Sequence, residues 1–342
     1  MKAVRFHEFG GLDVLRVEEV DDPTPGPGEA LVRIRASALN HLDVDVRDGT
    51  SRFPVTLPHT LGVELAGDVE ELGDGVEDWS PGDRVNPYIM DPCGGCRYCR
   101  TGRESLCLTP GFISFTTGGG YAEQVVVKAR NLIRIPDSVS YEQAAALQVA
   151  FGTAWHMLFT RGNLRTGESV MINSVGSGIG SAAVQLAHLG GAFVIGNASS
   201  REKLDRAAGL GMDAGINHAT EDVVARVMEL TEERGVDLVY EHVGGELFQK
   251  GLDSLTKDGR LVICGGHSGE VVEFDIIPFF RAQKSVIGSF VYTREEVAKC
   301  LELAGRGLIT PLVHQTFPLD DVREAMATMQ RREHFGKLVL VP

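Results

Sequence analysis

The chain has 342 residues, a length that predicts two domains of ordinary size and excludes a small disulfide-stapled module. Hydrophobic residues make up 43% and charged residues 23%, the balance of a folded globular protein rather than a disordered one. Forty-seven acidic residues against 33 basic ones leave a net charge of −14, which disfavours nucleic acid and anionic membranes as partners. No stretch approaches the roughly 20 apolar residues of a membrane span, and the start of the chain lacks the apolar core of a signal peptide, so we expect a cytoplasmic protein.

The first 90 residues have the pattern of short strands joined by turns. KAVRF, VLRVEEV, LVRIRASAL and GVELAGDVEEL have strand character, and Pro- and Gly-rich turns such as DDPTPGPGEA and PGDRV separate them. YAEQVVV and NLIRIP return to strand character after residue 120. The sequence therefore predicts an all-β domain over residues 1–149.

Four cysteines interrupt this domain in a lobe at residues 91–108. Cys93, Cys96, Cys99 and Cys107 have the spacing C-x2-C-x2-C-x7-C, with glycines between them. In a reducing compartment four such thiolates suit one tetrahedral structural zinc ion with no open coordination position. Free thiols or a redox pair are the alternative. We interpret Cys264 and Cys300, which stand alone, as small buried hydrophobic residues.

From Ser140 onward, helices and strands alternate. SYEQAAALQVAFGTAWHMLF predicts a helix that breaks near Gly152, and strands and helices then follow each other from SVMIN to SVIGSF. Such alternation predicts a doubly wound parallel sheet of the dinucleotide-binding kind over residues 150–290. The tail, residues 291–342, has two helical segments and ends in the strand GKLVLVP, and we expect it to return to the first domain.

A glycine-rich turn follows the first strand of the α/β segment and opens a helix. Glycines in this position allow a pyrophosphate to approach the backbone, and the helix N-terminus offers unpaired N–H groups. The predicted cofactor-binding residues here are Gly176, Ser177, Gly178, Ile179 and Gly180. Tight strand–helix packing without a ligand is the alternative interpretation.

The next strand ends without the carboxylate that would bind the adenosine ribose of NAD. Ser199, Ser200, Arg201 and Lys203 follow it instead, and two hydroxyl groups beside two cations suit the 2′-phosphate of NADPH. Glu202 weakens this interpretation, and a solvated first helical turn is the alternative. We expect NADPH to be preferred over NADH.

These motifs, in this order, resemble the medium-chain dehydrogenase/reductase superfamily along the whole chain, and most closely its quinone oxidoreductase-like branch. The resemblance rests on PGPGEALVRI, ALNHLDVDVRDG, LGVELAGDVEELGDGV, the cysteine lobe, GGGYAEQVVV, SGIGSAAVQLA, LVYEHVGG, LVICGGHSG and HFGKLVL. It implies a Rossmann doubly wound parallel sheet plus a GroES-like all-β catalytic domain with a structural zinc lobe, and a homodimer or homotetramer. It also implies further cofactor contacts: Thr153, Asn217, His218, Val243, Gly244, Gly265, Gly266, His267, Ser268 and Lys337.

The chain departs from zinc alcohol dehydrogenases of this superfamily at the catalytic metal. By resemblance, the three ligand positions fall on Asn40, Val63 and near Val149, and the proton-relay position falls on Leu42. Zinc-assisted alcohol oxidation would therefore lack both its Lewis acid and its relay. Asn40-His41-Leu42-Asp43 looks instead like the N-x-x-D stretch of zinc-free quinone and enone reductases.

The main hypothesis is an NADPH-dependent reductase that transfers hydride to a quinone, an enone or another activated alkene. Asn40, His41 and Tyr88 are the predicted donors to the substrate oxygen, although Asn40 and His41 could be purely structural. The alternatives are an alcohol or aldehyde dehydrogenase with a nonstandard or relocated catalytic zinc and a non-catalytic NADPH-binding protein. A relocated zinc could draw on five side chains: His41, Asp43, His59, Glu64 and His156.

Overall fold

The computed structural model describes all 342 residues, which form two compact units. Unit 1 consists of Met1–Val149 together with Thr293–Pro342, and unit 2 consists of Ala150–Tyr292. Both ends of the chain therefore belong to the same unit. No helix combines the length and apolar character needed to cross a membrane.

Eighteen strands and nine α-helices make up the two units. The strands are β1 Lys2–Phe6, β2 Arg16–Glu19, β3 Glu29–Ala38, β4 His59–Thr60, β5 Glu64–Leu72, β6 Arg84–Pro87, β7 Met90–Asp91, β8 Gly111–Phe112, β9 Gln124–Lys128, β10 Leu132–Arg134, β11 Ser169–Ile172, β12 Phe193–Ala198, β13 Ala214–Asn217, β14 Val236–Glu241, β15 Leu255–Ile263, β16 Ser285–Gly288, β17 Val313–Pro318 and β18 Lys337–Val341. The helices are α1 His41–Asp48, α2 Tyr141–Trp155, α3 Gly178–Leu189, α4 Arg201–Ala208, α5 Val223–Leu230, α6 Glu246–Ser254, α7 Ile276–Arg281, α8 Arg294–Gly305 and α9 Val322–Arg331.

The main sheet of unit 1 contains strands from both chain segments. Its order is β10-β6-β5-β3-β18-β17, and β9 also pairs with β3. The last strand, β18, lies antiparallel to the end of β3, with Val339 opposite Ala38 and Leu340 opposite Ser37. This pairing places the start of β18 beside the loop that follows β3.

Unit 2 is a six-stranded parallel sheet in the order β13-β12-β11-β14-β15-β16. The strand order reverses between β11 and β14, and in such sheets ligands bind beyond the carboxyl ends of the strands at this point. β11 is buried at all four positions, as a strand covered on both faces requires. The structure thus confirms the predicted α/β class.

Three α-helices differ from the sequence-based expectation. α2 runs unbroken through Gly152, where a side chain would lie 2.8 Å from the ring of Tyr292, so close packing explains that glycine. α1 and α7 were not predicted. HLDVDVRD alternates apolar and polar residues like a strand, but the Asn40 side chain and the carboxylate of Asp43 form a capping box that starts a helix there.

Candidate functional site

The four cysteines of the lobe lie together. Their sulfur atoms are all within 4.8 Å of one another, with 4.0 Å between Cys93 and Cys99 and 3.5 Å between Cys96 and Cys99. Four Zn–S bonds of about 2.3 Å in a tetrahedron separate the sulfurs by roughly 3.8 Å. The donor set and its spacing therefore fit one zinc ion with no position left for a substrate.

The thiols of the lobe do not all favour the charged form. Backbone N–H groups of Cys99 and Leu108 lower the pKa of Cys96 to about 6, whereas burial raises the pKa of Cys99 to about 12. A metal ion favours deprotonation of each thiol that it binds. Zinc binding would therefore favour the thiolate form of all four cysteines, despite the difference in pKa between Cys96 and Cys99.

A second polar cluster forms where the loop that follows β3 meets the last strand of unit 1. We call Asn40, Glu64 and Lys337 the Asn40–Glu64–Lys337 cluster. Asn40 Nδ2 donates to Glu64 Oε1 at 3.0 Å, Lys337 Nζ donates to Asn40 Oδ1 at 2.7 Å, and Lys337 Nζ forms an ion pair with Glu64 Oε1. Glu64 is fully buried and Lys337 is 7% exposed. The three side chains thus form a closed ring of two hydrogen bonds and one ion pair.

This cluster occupies the surroundings that the family resemblance assigns to a catalytic metal. The backbone N–H of Val149 donates to Glu64 Oε2 at 2.7 Å, and Val63, which precedes Glu64, is buried. Asn40 and Val149 therefore both contact the Glu64 carboxylate, and neither they nor Val63 offers a thiolate or imidazole. The residues at these positions do not fit the ligand set of a zinc alcohol dehydrogenase.

Lys337 departs from its expected role. The resemblance assigns it to the cofactor, but its third contact, at 2.7 Å, goes to the backbone oxygen of Leu39. Two N–H bonds of the ammonium group therefore go to Leu39 and Asn40, and its charge is paired with Glu64. In this structure the contacts of Lys337 thus lie within unit 1.

Asp43 lies next to this cluster and is also buried. Its carboxylate accepts hydrogen bonds from the backbone N–H of Asn40 (2.8 Å), the backbone N–H of Gly62 (3.2 Å) and the hydroxyl of Tyr121 (2.8 Å). Burial raises the pKa of Asp43 to about 6, because these donors compensate only part of its desolvation.

The other two predicted catalytic residues lie in different surroundings. His41 is the first residue of α1 and is exposed. Tyr88 is 1% exposed and lines a cavity of the cysteine lobe together with Cys99 and Glu104. Burial raises the pKa of Tyr88 far above its usual value. The structure therefore associates Tyr88 with the zinc lobe, and only Asn40 of the three belongs to the buried cluster.

Three of the five residues considered for a relocated zinc have other partners. His59 Nε2 lies 3.0 Å from Ser114 Oγ, and burial lowers the pKa of its imidazole. Asp43 and Glu64 accept the hydrogen bonds described above, and His156 belongs to unit 2. Over all 342 residues, the cysteines are the one group in which three or more metal-ligating side chains converge.

In unit 2, the glycine turn has the geometry of a phosphate-binding loop. Ser177 caps α3, and its hydroxyl accepts from the N–H of Gly180 at 3.0 Å. A side chain on Gly180 would lie 2.3 Å from the backbone oxygen of Ser174, so glycine is required for this close strand–helix approach. Gly176 and Val175 are buried, and Gly178 and Ile179 form the first helical turn. The loop fits the pyrophosphate of a dinucleotide.

Some of the residues expected to bind the 2′-phosphate form hydrogen bonds or ion pairs within α4. Ser199 precedes the helix, and Ser200 caps it, its hydroxyl accepting from the N–H of Lys203. Arg201 Nε pairs with Asp205 at 2.8 Å, and its side chain is 83% exposed. Both cations thus lie in the first turn of α4, Arg201 exposed and Lys203 half-buried, a position compatible with phosphate binding and also with simple solvation.

The remaining predicted cofactor residues belong to unit 2, and most of them lie in loops. Thr153 is half-buried on α2, and Asn217 ends β13. His218 Nδ1 lies 3.1 Å from Asn197 Oδ1, and burial lowers the pKa of its imidazole. The other six lie in the two loops that follow β14 and β15. The N–H of Ser268 donates to the backbone oxygen of Val243 at 2.8 Å and so joins these loops. The six residues are Val243, Gly244, Gly265, Gly266, His267 and Ser268.

Sequence reasoning missed a buried polar network at the carboxyl ends of β11, β12 and β14. Asn173 donates to Glu241 and accepts from Asn197, and Asn197 Oδ1 accepts from the N–H of Ser174 at 3.2 Å. Glu241 also accepts from the N–H groups of two loop residues, Val243 and Gly244. The available signal was a polar residue at the end of each apolar strand. This network holds the glycine turn and the β14 loop in place.

We expect replacement of Cys96 by Ser to remove the zinc ion and lower the melting temperature, because three thiolates and a hydroxyl bind zinc more weakly than four thiolates. Zinc is measured by mass spectrometry and unfolding by calorimetry. Cys264→Ser, outside the lobe, is the control and should keep its zinc. Full zinc content in the Cys96 variant would contradict the assignment.

We expect Asp43 to make the free energy of unfolding depend on pH. A carboxyl group whose pKa is 3.8 unfolded and about 6 folded stabilises the fold fully below pH 3.8, and this contribution is lost as the pH rises through about 6. Relative to Asp43→Asn, the wild type should lose about 3 kcal/mol between pH 3.8 and 7. Urea unfolding across this range measures it, with Asp21→Asn, an exposed change, as control. A difference between wild type and Asp43→Asn that stays constant with pH would refute this expectation.

Comparisons with known proteins agree with this architecture. Residues 26–137 match the family described as Alcohol dehydrogenase GroES-like domain, and residues 178–306 match Zinc-binding dehydrogenase. A crystal structure of an NAD-dependent alcohol dehydrogenase superposes with a TM-score of 0.96 at 37% identity, covering 100% of both chains.

Three curated relatives span almost the full length of the chain. They are an NAD-dependent alcohol dehydrogenase of Sulfolobus acidocaldarius (33% identical, covering 99% of both chains), an acryloyl-coenzyme A reductase of Metallosphaera sedula (31%, 99% of both) and a quinone oxidoreductase of Pseudomonas aeruginosa (32%, 100% of this chain and 99% of the relative). The chain therefore belongs to the zinc-containing alcohol dehydrogenase superfamily, the medium-chain dehydrogenase/reductases, and is an NAD(P)-dependent oxidoreductase.

Proposed function

We propose that this protein reduces an activated alkene, such as a quinone, an enone or an α,β-unsaturated thioester, with a reduced nicotinamide cofactor. The observation that carries the proposal is the Asn40–Glu64–Lys337 cluster, in which side chains without metal-ligand chemistry fill the surroundings of the expected metal. Alkene reduction needs no metal to ionise an alcohol. When bound, the cofactor supplies the hydride.

Asn40 is the proposed donor to the substrate oxygen. Negative charge develops on that oxygen when hydride reaches the conjugated carbon, and a positioned N–H group stabilises it. One Nδ2 hydrogen of Asn40 is held by Glu64, and the second makes only a long contact, 3.4 Å, to the backbone oxygen of Ala38. This second hydrogen is the one that Asn40 can offer to a substrate.

The second candidate is the interconversion of an alcohol and an aldehyde. The comparisons favour it over alkene reduction, because the Sulfolobus acidocaldarius relative and the crystal structure with a TM-score of 0.96 are both named NAD-dependent alcohol dehydrogenases. The acryloyl-coenzyme A reductase and the quinone oxidoreductase support the alkene reductase. Alcohol oxidation in this chain would require either a metal held by other ligands or a different way to remove the hydroxyl proton.

A substrate panel separates these activities. The zinc-loaded protein is incubated with NADH or NADPH and a quinone, an enone, an enoyl thioester or an aldehyde, and oxidation of the cofactor is followed; alcohols are tested in the reverse direction. Turnover of the alkenes with one zinc per chain supports the proposal. Turnover confined to alcohols and aldehydes with two zinc ions per chain refutes it, and cofactor binding without any turnover favours a binding protein.

Variants tested with the same substrates identify the residue that donates to the substrate oxygen. Asn40→Ala should lower kcat by about 100-fold, the usual loss on removing one donor to a developing oxyanion. His41→Ala, the exposed neighbouring residue, is made in parallel. A large loss in His41→Ala with little loss in Asn40→Ala would assign the donor to His41 instead.

We further propose that the cofactor is NADPH. Support comes from the absence of a carboxylate at the end of β12, where Ala198 stands, and from Arg201 and Lys203 at the start of α4. Replacing both cations by Ala should raise the Kd for NADPH at least 10-fold and leave that for NADH nearly unchanged, since only NADPH carries the 2′-phosphate. Equal effects on the two cofactors, measured by fluorescence titration, would contradict this role.

The protein is also proposed to form a homodimer through the β16 edge of unit 2. Seven large apolar side chains within twenty residues are exposed there, on the order of 700 Å² together, close to the ~800 Å² that each partner of a stable interface buries. β16 is an end strand whose outer edge pairs with no other strand, although Gly288 O accepts from Arg161 Nε at 2.9 Å, and a second copy can pair with this edge. These side chains belong to Val271, Phe274, Ile276, Ile277, Phe280, Val286 and Phe290.

Sedimentation velocity should show the wild type at twice the 36.9 kDa of one chain or at a larger multiple. Val286→Lys, which puts a charge into the edge strand, should shift it toward the monomer, because a lysine at a sheet edge opposes pairing. Leu308→Lys, an exposed apolar position outside the patch, is the matched control. A wild-type monomer would refute the proposed interface.

A further inference from the structure

The Asn40–Glu64–Lys337 cluster contains a buried cation that the proposed chemistry does not itself use. Lys337 is 7% exposed, and its ammonium group donates to Leu39 O and Asn40 Oδ1 and forms an ion pair with Glu64 Oε1. Glu64 is fully buried, and the charge of Lys337 also acts on a second carboxylate, that of Asp43. Lysine is rarely buried unless a carboxylate pairs with it, so the position of Lys337 requires an explanation.

A carboxamide can take two orientations that exchange its oxygen and nitrogen atoms. An ammonium group only donates hydrogen bonds, and an ionised carboxylate only accepts them. Lys337 therefore binds the oxygen end of the Asn40 carboxamide, and Glu64 binds the nitrogen end. With both partners present a single orientation satisfies every group, and the other would set donor against donor and acceptor against acceptor.

We propose that Lys337 is a positioning residue, which supplies the fixed positive charge of this site in place of a metal ion and holds the Asn40 carboxamide in one orientation. The inference rests on the proposed function only for the contact between Asn40 and substrate. The ion pair and its effect on Asn40 stand on the contacts of unit 1 alone.

Glu64 is the negatively charged partner of Lys337 in this cluster. Without the ammonium, its carboxylate would remain buried with the hydrogen bonds from Asn40 and from the N–H of Val149 but with no compensating charge. Removing one partner of a buried ion pair is far more damaging than replacing both by neutral groups. The cluster should therefore tolerate the loss of both charges better than the loss of one.

The test compares Lys337→Met, Glu64→Gln and the double variant with the wild type. Lys337→Met keeps the length of the side chain and removes the charge, and it should lower the melting temperature by roughly 10 °C. The double variant should recover most of this loss. Lys128→Met, which removes a cation from a pair with Glu29 that water still reaches, is the control and should change the melting temperature much less than Lys337→Met.

Crystal structures of the wild type and of Lys337→Met test the orientation of Asn40 without reference to activity. We expect the carboxamide to leave Glu64 or to rotate in the variant. If Lys337→Met does not yield crystals, the double variant, in which neither charge holds the carboxamide, serves the same purpose. An unchanged Asn40 together with an unchanged melting temperature overturns the proposal.

Kinetics and cofactor binding separate positioning from direct cofactor contact. Lys337→Met should lower kcat about as much as Asn40→Ala, and the combined variant should lose no more than either alone, because both changes remove the same donor. The Kd for NADPH should change less than twofold. A tenfold weaker Kd with an unchanged kcat would show that Lys337 contacts the cofactor phosphate instead. If the wild type turns over no substrate, the proposed function fails, whereas the crystal structures and melting temperatures still decide the role of Lys337.

Discussion

The pairing of β18 with β3 is the interaction on which the candidate site of unit 1 depends. It joins the last five strand residues of the chain to a strand formed some 300 residues earlier, and the N–H of Leu39 extends it by donating to the oxygen of Leu338 at 2.9 Å. Asn40 follows Leu39 in the chain, and Lys337 precedes Leu338. The pairing therefore brings Asn40 and Lys337 together. A buried ammonium and a carboxamide meet because two strand ends share one hydrogen-bonding register.

Buried carboxylates recur at the important positions of both units. Asp43 and Glu64 in unit 1 and Glu241 in unit 2 are all nearly inaccessible to water, and each accepts hydrogen bonds from backbone N–H groups. A buried charge without partners would cost several kcal/mol, so each of these carboxylates fixes the loops whose N–H groups it binds. The loops around the two sites are thus held mainly by buried acids.

Local patterns in the sequence were informative where a function needs residues close together in the chain. The cysteine lobe falls within fifteen residues, and its spacing alone indicated a tetrahedral zinc site; the structure brings the four sulfurs together. The glycine turn and the strand–helix alternation were equally local, and the parallel sheet followed from them. α1 was missed because Leu42, Val44 and Val46 alternate like a strand, whereas the caps at its ends impose a helix.

The sequence by itself therefore determined the two-unit α/β architecture, the four-cysteine lobe, the glycine turn before α3 and the absence of cysteine and histidine at positions 40, 63 and 149, where the resemblance expects metal ligands. Tertiary structure decided what stands in their place. Nothing in HFGKLVL distinguishes a lysine that binds a phosphate from one that neutralises Glu64, since the partner of Lys337 is set by which strand β18 joins. The tertiary structure also places Tyr88 beside the zinc lobe and brings Asn173, Asn197 and Glu241 into one hydrogen-bond network. Residues far apart in the chain meet in this way only when the sheets have formed.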